Sequence, residues 1–252
     1  MIKTKQKISK LKTIYQNELY QRVIPFWEKY SLDTIHGGFF NNIDKDGTVY
    51  DTNKHIWLQG RQVWMFSKLY RLNPEKNKWL EMATSGINFL RKHAITQEGR
   101  VYFCLNREGQ PIKLQRKIFS ECFYVMALAE YSKATEKSEY MDEALEVFDK
   151  IWRWSKDLTQ VGAEIYSGEN ESQTLAIPMI LLNLIEELTT DNFYSFENKI
   201  QSCIQQIKLH VDESEKTVYE NVSPNGKFID TPHGRLLNPG HAIEAGWFLQ
   251  HW

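Results

Sequence analysis

Apolar residues recur at every third or fourth position along most of the chain, the spacing that one face of an α-helix requires. From this spacing, the predicted helices cover residues 5–30, 56–72, 75–93, 117–136, 138–155, 172–189, 192–210 and 241–252. Short polar segments with glycine separate them, and several of these segments are typical of tight β-hairpin turns. The pattern therefore predicts an all-α fold with short β-hairpins in its loops.

Two of the predicted helices differ in the arrangement of their apolar residues. Helix 56–72 has apolar residues on two faces: Trp57 and Trp64 on one, and Leu58, Met65, Phe66 and Leu69 on the other. A helix that is apolar nearly all round is buried on both sides. Helix 138–155 instead alternates charged residues with a single apolar stripe, the pattern of a surface helix. Alternating inner and outer helices describe a two-layer α/α toroid, which we expect to form one domain over residues 1–252.

Turns that end in glycine recur with nearly constant spacing. In chain order they end at Gly47, Gly109, Gly168 and Gly226, and the turn at residues 165–168 is the weakest of the four. Successive glycines are therefore 62, 59 and 58 residues apart. Such a period is typical of a repeated helical hairpin. Closing a toroid of six such repeats would take roughly 360 residues. Because the helix at 241–252 also lacks a C-terminal capping signal, we expect this chain to hold the N-terminal two thirds of a barrel.

Composition excludes several classes of partner. The chain has 31 basic and 32 acidic residues and no basic run, so nothing indicates a nucleic acid or an anionic membrane. No apolar run reaches membrane-spanning length, and the N-terminus lacks the apolar core of a signal peptide. The three cysteines, Cys104, Cys122 and Cys203, lie far apart without zinc-binding spacing, which favours a reducing, cytoplasmic compartment.

Aromatic residues make up 13% of the chain, with 8 tryptophans. Composition alone favours a helical core of large side chains, although a cleft that stacks the flat face of a sugar remains an alternative. Arg61 lies on the same helical stripe as Trp57 and Trp64. A guanidinium in this setting either pairs with a carboxylate or holds a substrate oxygen, and the sequence favours neither.

A second candidate site lies where the last predicted helix begins. Asn238 or Gly240 can cap this helix, and Pro239 suits its first turn. His241 follows, with Glu244 one turn later. A lone histidine here is usually a capping or surface residue, but a neutral imidazole at a cavity mouth is suited to proton transfer.

The other histidines offer less. His233 lies close enough in sequence to line the same mouth. No role is assigned to His36, His55, His93, His210 or His251. No second histidine lies at metal-ligand spacing from His241, so no metal site is predicted.

Glu121 begins the fourth predicted helix, in the segment 119–123. It either points inward, toward Arg61 or the hydroxyls of a sugar, or is a plain helix N-terminal acid favoured by the helix dipole. The sequence contains no nucleophile elbow, phosphate-binding loop or dinucleotide fingerprint.

Taken together, these segments resemble the N-acylglucosamine 2-epimerase family. The resemblance extends in order over nearly the whole chain, through residues 37–40 (GGFF), 44–52 (DKDGTVYDT), 57–66 (WLQGRQVWMF), 119–123 (FSECF), 176–184 (AIPMILLNL) and 238–247 (NPGHAIEAGW). It implies an (α/α)6 barrel, incomplete here. The implied reaction interconverts N-acetylglucosamine and N-acetylmannosamine by removing and returning the C2 proton of the ring-opened sugar.

The resemblance also implies roles for single residues. Arg61 matches an active-site arginine that stabilises the developing oxyanion, and His241 matches one of two acid–base histidines. Glu244 matches a carboxylate that orients His241 or a sugar hydroxyl, and we expect Trp57 and Glu121 to contact the sugar as well.

The second histidine of the family lies in its C-terminal third, for which this chain has no matching residues. We therefore expect the 252-residue chain alone to have little or no epimerase activity. The resemblance implies no redox cofactor, and some members respond to ATP as an effector. We expect an amino sugar as the partner and leave a homodimer open.

Three alternatives remain. One is an aldose–ketose isomerase of the same superfamily, which moves the proton from C2 to C1 on one face. Another is a non-catalytic binding protein, which the renin-binding member of the family suggests. The third is a glycoside hydrolase on a similar barrel, which needs two facing carboxylates; Glu121 and Glu164 are the available candidates.

Overall fold

The computed structural model describes residues 2–164, 171–189 and 193–252. These residues form two compact units, Met1–Gln115 and Arg116–Trp252. The helices of the first unit are α1 (Ile2–Glu18), α2 (Ile24–Tyr30), α3 (Ile56–Leu72) and α4 (Asn77–His93). Its strands are β1 (Asn42–Ile43), β2 (Val49–Asp51), β3 (Lys54–His55), β4 (Cys104–Leu105) and β5 (Pro111–Lys113). The prediction of one domain over residues 1–252 stays a prediction.

The first predicted helix, residues 5–30, contains a π-helical turn at Leu19–Val23, between α1 and α2. There the backbone N–H of Ile24 donates to the carbonyl oxygen of Leu19, five residues earlier. The next residue, Pro25, has no N–H to donate and cannot continue a regular ladder. The proline therefore accounts for the widened turn.

Helices α3 and α4 pack against each other and supply most of the core of the first unit. Val63 and Phe66 of α3 are fully buried, and so are Met82, Ile87 and Leu90 of α4. The prediction that α3 is buried on both sides is wrong, because Trp57 and Arg61 are exposed. The face of α3 that carries Val63 and Phe66 meets the core, while on the tryptophan stripe Trp57 is exposed and Trp64 is half-buried.

The three strongest glycine turns share one backbone pattern, which confirms the predicted turns but not their sixty-residue period. The residue three positions before the glycine, Asp44, Asn106 or Ser223, accepts the glycine N–H at 2.8–3.1 Å. The same residue donates its own N–H to the carbonyl oxygen four positions later, at 2.8–3.0 Å. A fourth turn with this pattern ends at Gly99 and was not predicted, since it falls outside the sixty-residue period. The weaker turn at 165–168 lies outside the described residues.

The second unit contains α5 (Phe119–Thr135), α6 (Ser138–Trp154), α7 (Ala176–Leu188), α8 (Glu197–Lys208) and α9 (Pro239–Leu249). Short 3-10 turns lie at Leu158–Val161 and Phe193–Phe196. Its strands are β6 (Gln173–Thr174), β7 (Val211–Asp212), β8 (Thr217–Val218) and β9 (Asn221–Val222). In both units all strand pairs are antiparallel: β1 with β2, β4 with β3 and β5, β6 with β9, and β7 with β8.

The helices of the second unit form two layers. Helix α7 packs against both α5 and α9, while α6 covers α5 and α8 covers α7. Every residue of α5 from 120 to 132 is buried, as expected of an inner helix. Helix α6 buries one stripe that includes Phe148 and Ile151, which confirms its predicted one-sided character. Full burial of one such side chain stabilises the fold by about 1.5–3 kcal/mol.

The predicted all-α fold with short hairpins is thus confirmed, and most helix ends lie within a few residues of their predicted positions. Helix α7 begins at Ala176 rather than at residue 172, because Gln173 and Thr174 pair with β9 instead. In the part of the chain that the structure describes, no helix combines the length and the apolar character needed to cross a membrane.

Candidate active site

His241 lies in the first turn of α9, where the local sequence fixes its position. Asn238 is the N-cap, and its side-chain oxygen accepts the backbone N–H of His241 at 3.3 Å. Pro239 follows as the first helical residue, where its missing N–H costs nothing. Of the two caps that the sequence allowed, the structure uses Asn238.

The imidazole of His241 is held by a carboxylate that sequence reasoning missed. Its Nδ1 lies 2.8 Å from Oε2 of Glu220, whose side chain is only 7% exposed. The other carboxylate oxygen, Oε1, accepts the hydroxyl of Thr174 at 3.0 Å. We refer to Thr174, Glu220 and His241 as the His241 cluster.

The chemistry of this cluster follows from its hydrogen bonds. An ionised carboxylate only accepts, so Nδ1 of His241 carries the proton in the Nδ1–Glu220 contact. In the neutral imidazole, Nε2 then holds the lone pair. Nε2 has no hydrogen-bond partner among the described residues, and the His241 side chain is 33% exposed. The cluster can therefore accept and return a proton through Nε2.

Glu244, the carboxylate that the sequence placed beside His241, lies exposed on α9. The carboxylate that contacts the imidazole is Glu220, which lies just before β9 and 21 residues before His241. A role of Glu244 toward a sugar hydroxyl stays a prediction. His233 is also exposed, and its backbone carbonyl accepts the side-chain amide of Asn221 at 3.1 Å.

In the first unit, Trp57 and Arg61 lie together as their spacing predicted. The Cζ atom of Arg61 lies 5.1 Å from the centre of the Trp57 ring, and both side chains are exposed. Phe103 extends this aromatic surface, with its ring centroid 6.1 Å from that of Trp57. Such a surface offers a flat apolar face for a sugar ring and a cation for an oxygen that gains negative charge.

Glu121 lies in the first turn of α5 and is fully buried, so it is an acid at a helix N-terminus that points into the protein. Its role toward a sugar stays a prediction. Burial raises the pKa of the adjacent Cys122 thiol well above its usual value, and the nearby Glu121 charge raises it further. Glu164 is exposed and forms an ion pair with Arg116. A buried Glu121 and an exposed, paired Glu164 do not supply the two facing carboxylates that a glycoside hydrolase needs.

No group of three or more potential metal ligands occurs among the residues that the structure describes. Two of the histidines without a predicted role form contacts of a structural kind. His210 is buried, which lowers its pKa, and its Nδ1 lies 2.9 Å from the carbonyl oxygen of Tyr219. His251 pairs with Glu186 at 2.6 Å in a half-exposed contact.

Comparison with known proteins agrees with these features. Residues 38–252 match the model of the family N-acylglucosamine 2-epimerase (GlcNAc 2-epimerase). The chain is 41% identical over 259 residues to the N-acylglucosamine 2-epimerase of Mus musculus, covering 99% of this chain and 61% of the relative. It is 25% identical to the cellobiose 2-epimerase of Dictyoglomus turgidum, covering 95% of this chain and 64% of that protein.

Among solved structures, the chain is similar to the cellobiose 2-epimerase of Bacillus thermoamylovorans B4167. The TM-score is 0.81 at 23% identity, and the match covers 96% of this chain and 66% of that one. This likeness confirms the predicted fold class, the all-α (α/α)6 barrel. The chain thus spans about three fifths to two thirds of the length of the proteins to which it is similar.

Proposed function

Because the chain belongs to the N-acylglucosamine 2-epimerase family, we propose that it serves the interconversion of N-acetylglucosamine and N-acetylmannosamine. The 41% identity to the mouse N-acylglucosamine 2-epimerase, against 25% to a cellobiose 2-epimerase, favours an N-acylated amino sugar as substrate. The three free cysteines are buried, and we propose the cytoplasm as the compartment.

The proposed chemistry is proton transfer at C2 of the ring-opened sugar. The C1 carbonyl acidifies the C2–H bond, so a base can remove the proton and leave an enolate. His241 is the proposed base, acting through Nε2, and Arg61 is proposed to stabilise the charge on the C1 oxygen. The observation that carries the proposal is the hydrogen bond between Nδ1 of His241 and Glu220, which leaves Nε2 available.

The remaining sequence-predicted residues have binding roles in this proposal. Trp57 stacks against the sugar, and Glu121 and Glu244 bind hydroxyls. A nucleotide such as ATP as effector and a homodimer are part of the same proposal, since both come only from the family resemblance.

Inversion at C2 needs a proton from the opposite face, hence a second acid–base group. The 252-residue chain contains one of the two histidines that the resemblance assigns. We therefore expect this polypeptide on its own to exchange the C2 proton on one face and to form little epimer.

The test is incubation of the 252-residue chain with N-acetylglucosamine or N-acetylmannosamine in D2O, followed by NMR. We expect deuterium to replace the C2 proton in one of the two sugars without the other accumulating. His241→Gln should lower the exchange rate by about 100-fold or more. Glu186→Gln, which alters the His251 contact instead, is the control and should exchange like the unaltered chain.

Three outcomes would contradict the proposal. Exchange no faster than in buffer would exclude His241 as a base toward these sugars. Rapid accumulation of the second epimer would exclude the single-face mechanism for this polypeptide. A ketose product would replace epimerisation with aldose–ketose isomerisation.

A further inference from the structure

We propose that Glu220 is a positioning residue, which together with Thr174 fixes the tautomer of His241 so that Nε2 is the proton acceptor. The inference rests on the proposed function of His241 as an acid–base group. It adds a residue that the sequence motif around His241 does not contain, because Glu220 belongs to a different loop.

The carboxylate of Glu220 is held in place from both ends. The backbone carbonyl of Glu220 accepts the N–H of Leu175 at 2.9 Å, next to the antiparallel pair formed by Thr174 of β6 and Asn221 of β9. The hydroxyl of Thr174 donates to Oε1 at 3.0 Å, which leaves Oε2 for His241. Because the side chain is nearly buried, water competes little for these contacts.

This arrangement decides which nitrogen of His241 can act. A histidine in water populates both neutral tautomers, and the hydrogen bond made by one nitrogen selects the state of the other. A carboxylate at Nδ1 holds the proton there, and the same proton stays on Nδ1 while Nε2 takes and returns the proton of the substrate. The negative charge of Glu220 also stabilises the imidazolium formed after that transfer.

A second histidine–glutamate pair in the same unit provides a matched control. Nδ1 of His251 lies 2.6 Å from Oε1 of Glu186, but the two side chains are 37% and 36% exposed. The same two residue types therefore form a contact that is open to solvent. Removing the Glu186 carboxylate should change the ring 15N signals of His251 and leave those of His241 unchanged.

The test is ring 15N NMR of the 252-residue chain labelled at histidine, with variants at Glu220 and Thr174. Neutral His241 should show a protonated Nδ1 and an unprotonated Nε2. In Glu220→Gln, the amide can offer Nδ1 either a donor or an acceptor, so the single tautomer should become a mixture or reverse. C2 exchange should fall by about 10–100-fold. Thr174→Val should shift the same signals less, and Thr174→Ser should restore them.

If Glu220→Gln leaves both the ring 15N signals of His241 and the C2 exchange rate unchanged, the inference is overturned while the proposed function stays intact. Loss of exchange in His241→Gln, but in neither Glu220 nor Thr174 variants, would have the same meaning. If Glu220→Gln does not fold, the pair Thr174→Val and Thr174→Ser decides the question. A tautomer that depends on Glu220 in a chain that exchanges no C2 proton would instead contradict the proposed function.

Discussion

The His241 cluster of the second unit and a cluster of Asp33, Lys54 and Arg107 in the first are both built on a buried carboxylate. In the Asp33 cluster both carboxylate oxygens and the ammonium group are used internally. Oδ2 of Asp33 accepts Nζ of Lys54 at 3.0 Å and Nε of Arg107 at 2.9 Å, and Oδ1 accepts Nη2 of Arg107 at 3.2 Å. The ammonium group of Lys54 also donates to the carbonyl oxygens of Gly37 and Arg107, at 2.6 and 2.8 Å.

The His241 cluster differs in one atom. Glu220 is satisfied by Thr174 and His241, but Nε2 of His241 has no partner within the described ranges. The contacts of the Asp33 cluster join segments that are distant in sequence. A cluster that leaves one polar atom near solvent can act on a ligand, and this difference agrees with the proposed catalytic role of His241.

The largest effect on stability should follow replacement of the carboxylate in the Asp33 cluster. In Asp33→Asn, a neutral amide faces Lys54 and Arg107, so a buried ammonium loses its counter-charge. We expect the free energy of unfolding to fall by about 3–5 kcal/mol, measured by denaturant titration of the 252-residue chain. A loss under 1 kcal/mol would mean that the cluster does not stabilise the first unit.

Asp230→Asn is the control, because Asp230 pairs with Arg235 in a contact where both side chains are 67% exposed. It should cost about 0–1 kcal/mol. Acid provides a further check. Burial alone would raise the pKa of Asp33, but the hydrogen bonds of Arg107 and Lys54 outweigh it and hold this pKa far below its usual range. A lowered folded-state pKa gives stability above about pH 4 that is lost as the pH falls, and Asp33→Asn should lack this part of the acid sensitivity.

A smaller effect is expected at the turn that presents Arg107 to Asp33. Gly109 has a φ of +95°, and a Cβ atom there would lie 2.4 Å from the ring of His93. Gly109→Ala should therefore destabilise the first unit by about 1–3 kcal/mol, seen as a lower thermal midpoint. Gly246→Ala is the matched control, since apart from its chain neighbours and the nearby backbone of its own helix no described atom would lie within 4 Å of a Cβ there. In the interior of α9 it should stabilise by about 0.5–1 kcal/mol, and equal effects at the two glycines would contradict the turn argument.

The sequence predicted the features that depend on neighbouring residues and missed the contacts between residues that are distant in sequence. Helix periodicity, the N-cap at Asn238 and the glycine turns are local signals, because each depends on residues within a few positions of one another. Both carboxylate clusters are non-local. Asp33 meets Arg107 across 74 positions of sequence, and Glu220 meets His241 across 21. The segments that carry these residues are brought together by pairs of strands that are only two or three residues long. Such strands are too short to show the period-two pattern that identifies a strand in a sequence.

Apart from the control variants, the smallest effect on stability should come from Glu220→Gln, the same carboxyl-to-amide exchange as Asp33→Asn. Glutamine keeps hydrogen-bonding atoms for both Thr174 and His241, and no lysine or arginine pairs with Glu220 in the described residues. We expect a loss of about 1 kcal/mol in the free energy of unfolding, by the same denaturant titration. A loss as large as that of Asp33→Asn would show that the His241 cluster is a structural element like its counterpart. A small loss together with an altered His241 ring would mean that Glu220 serves the imidazole more than the fold.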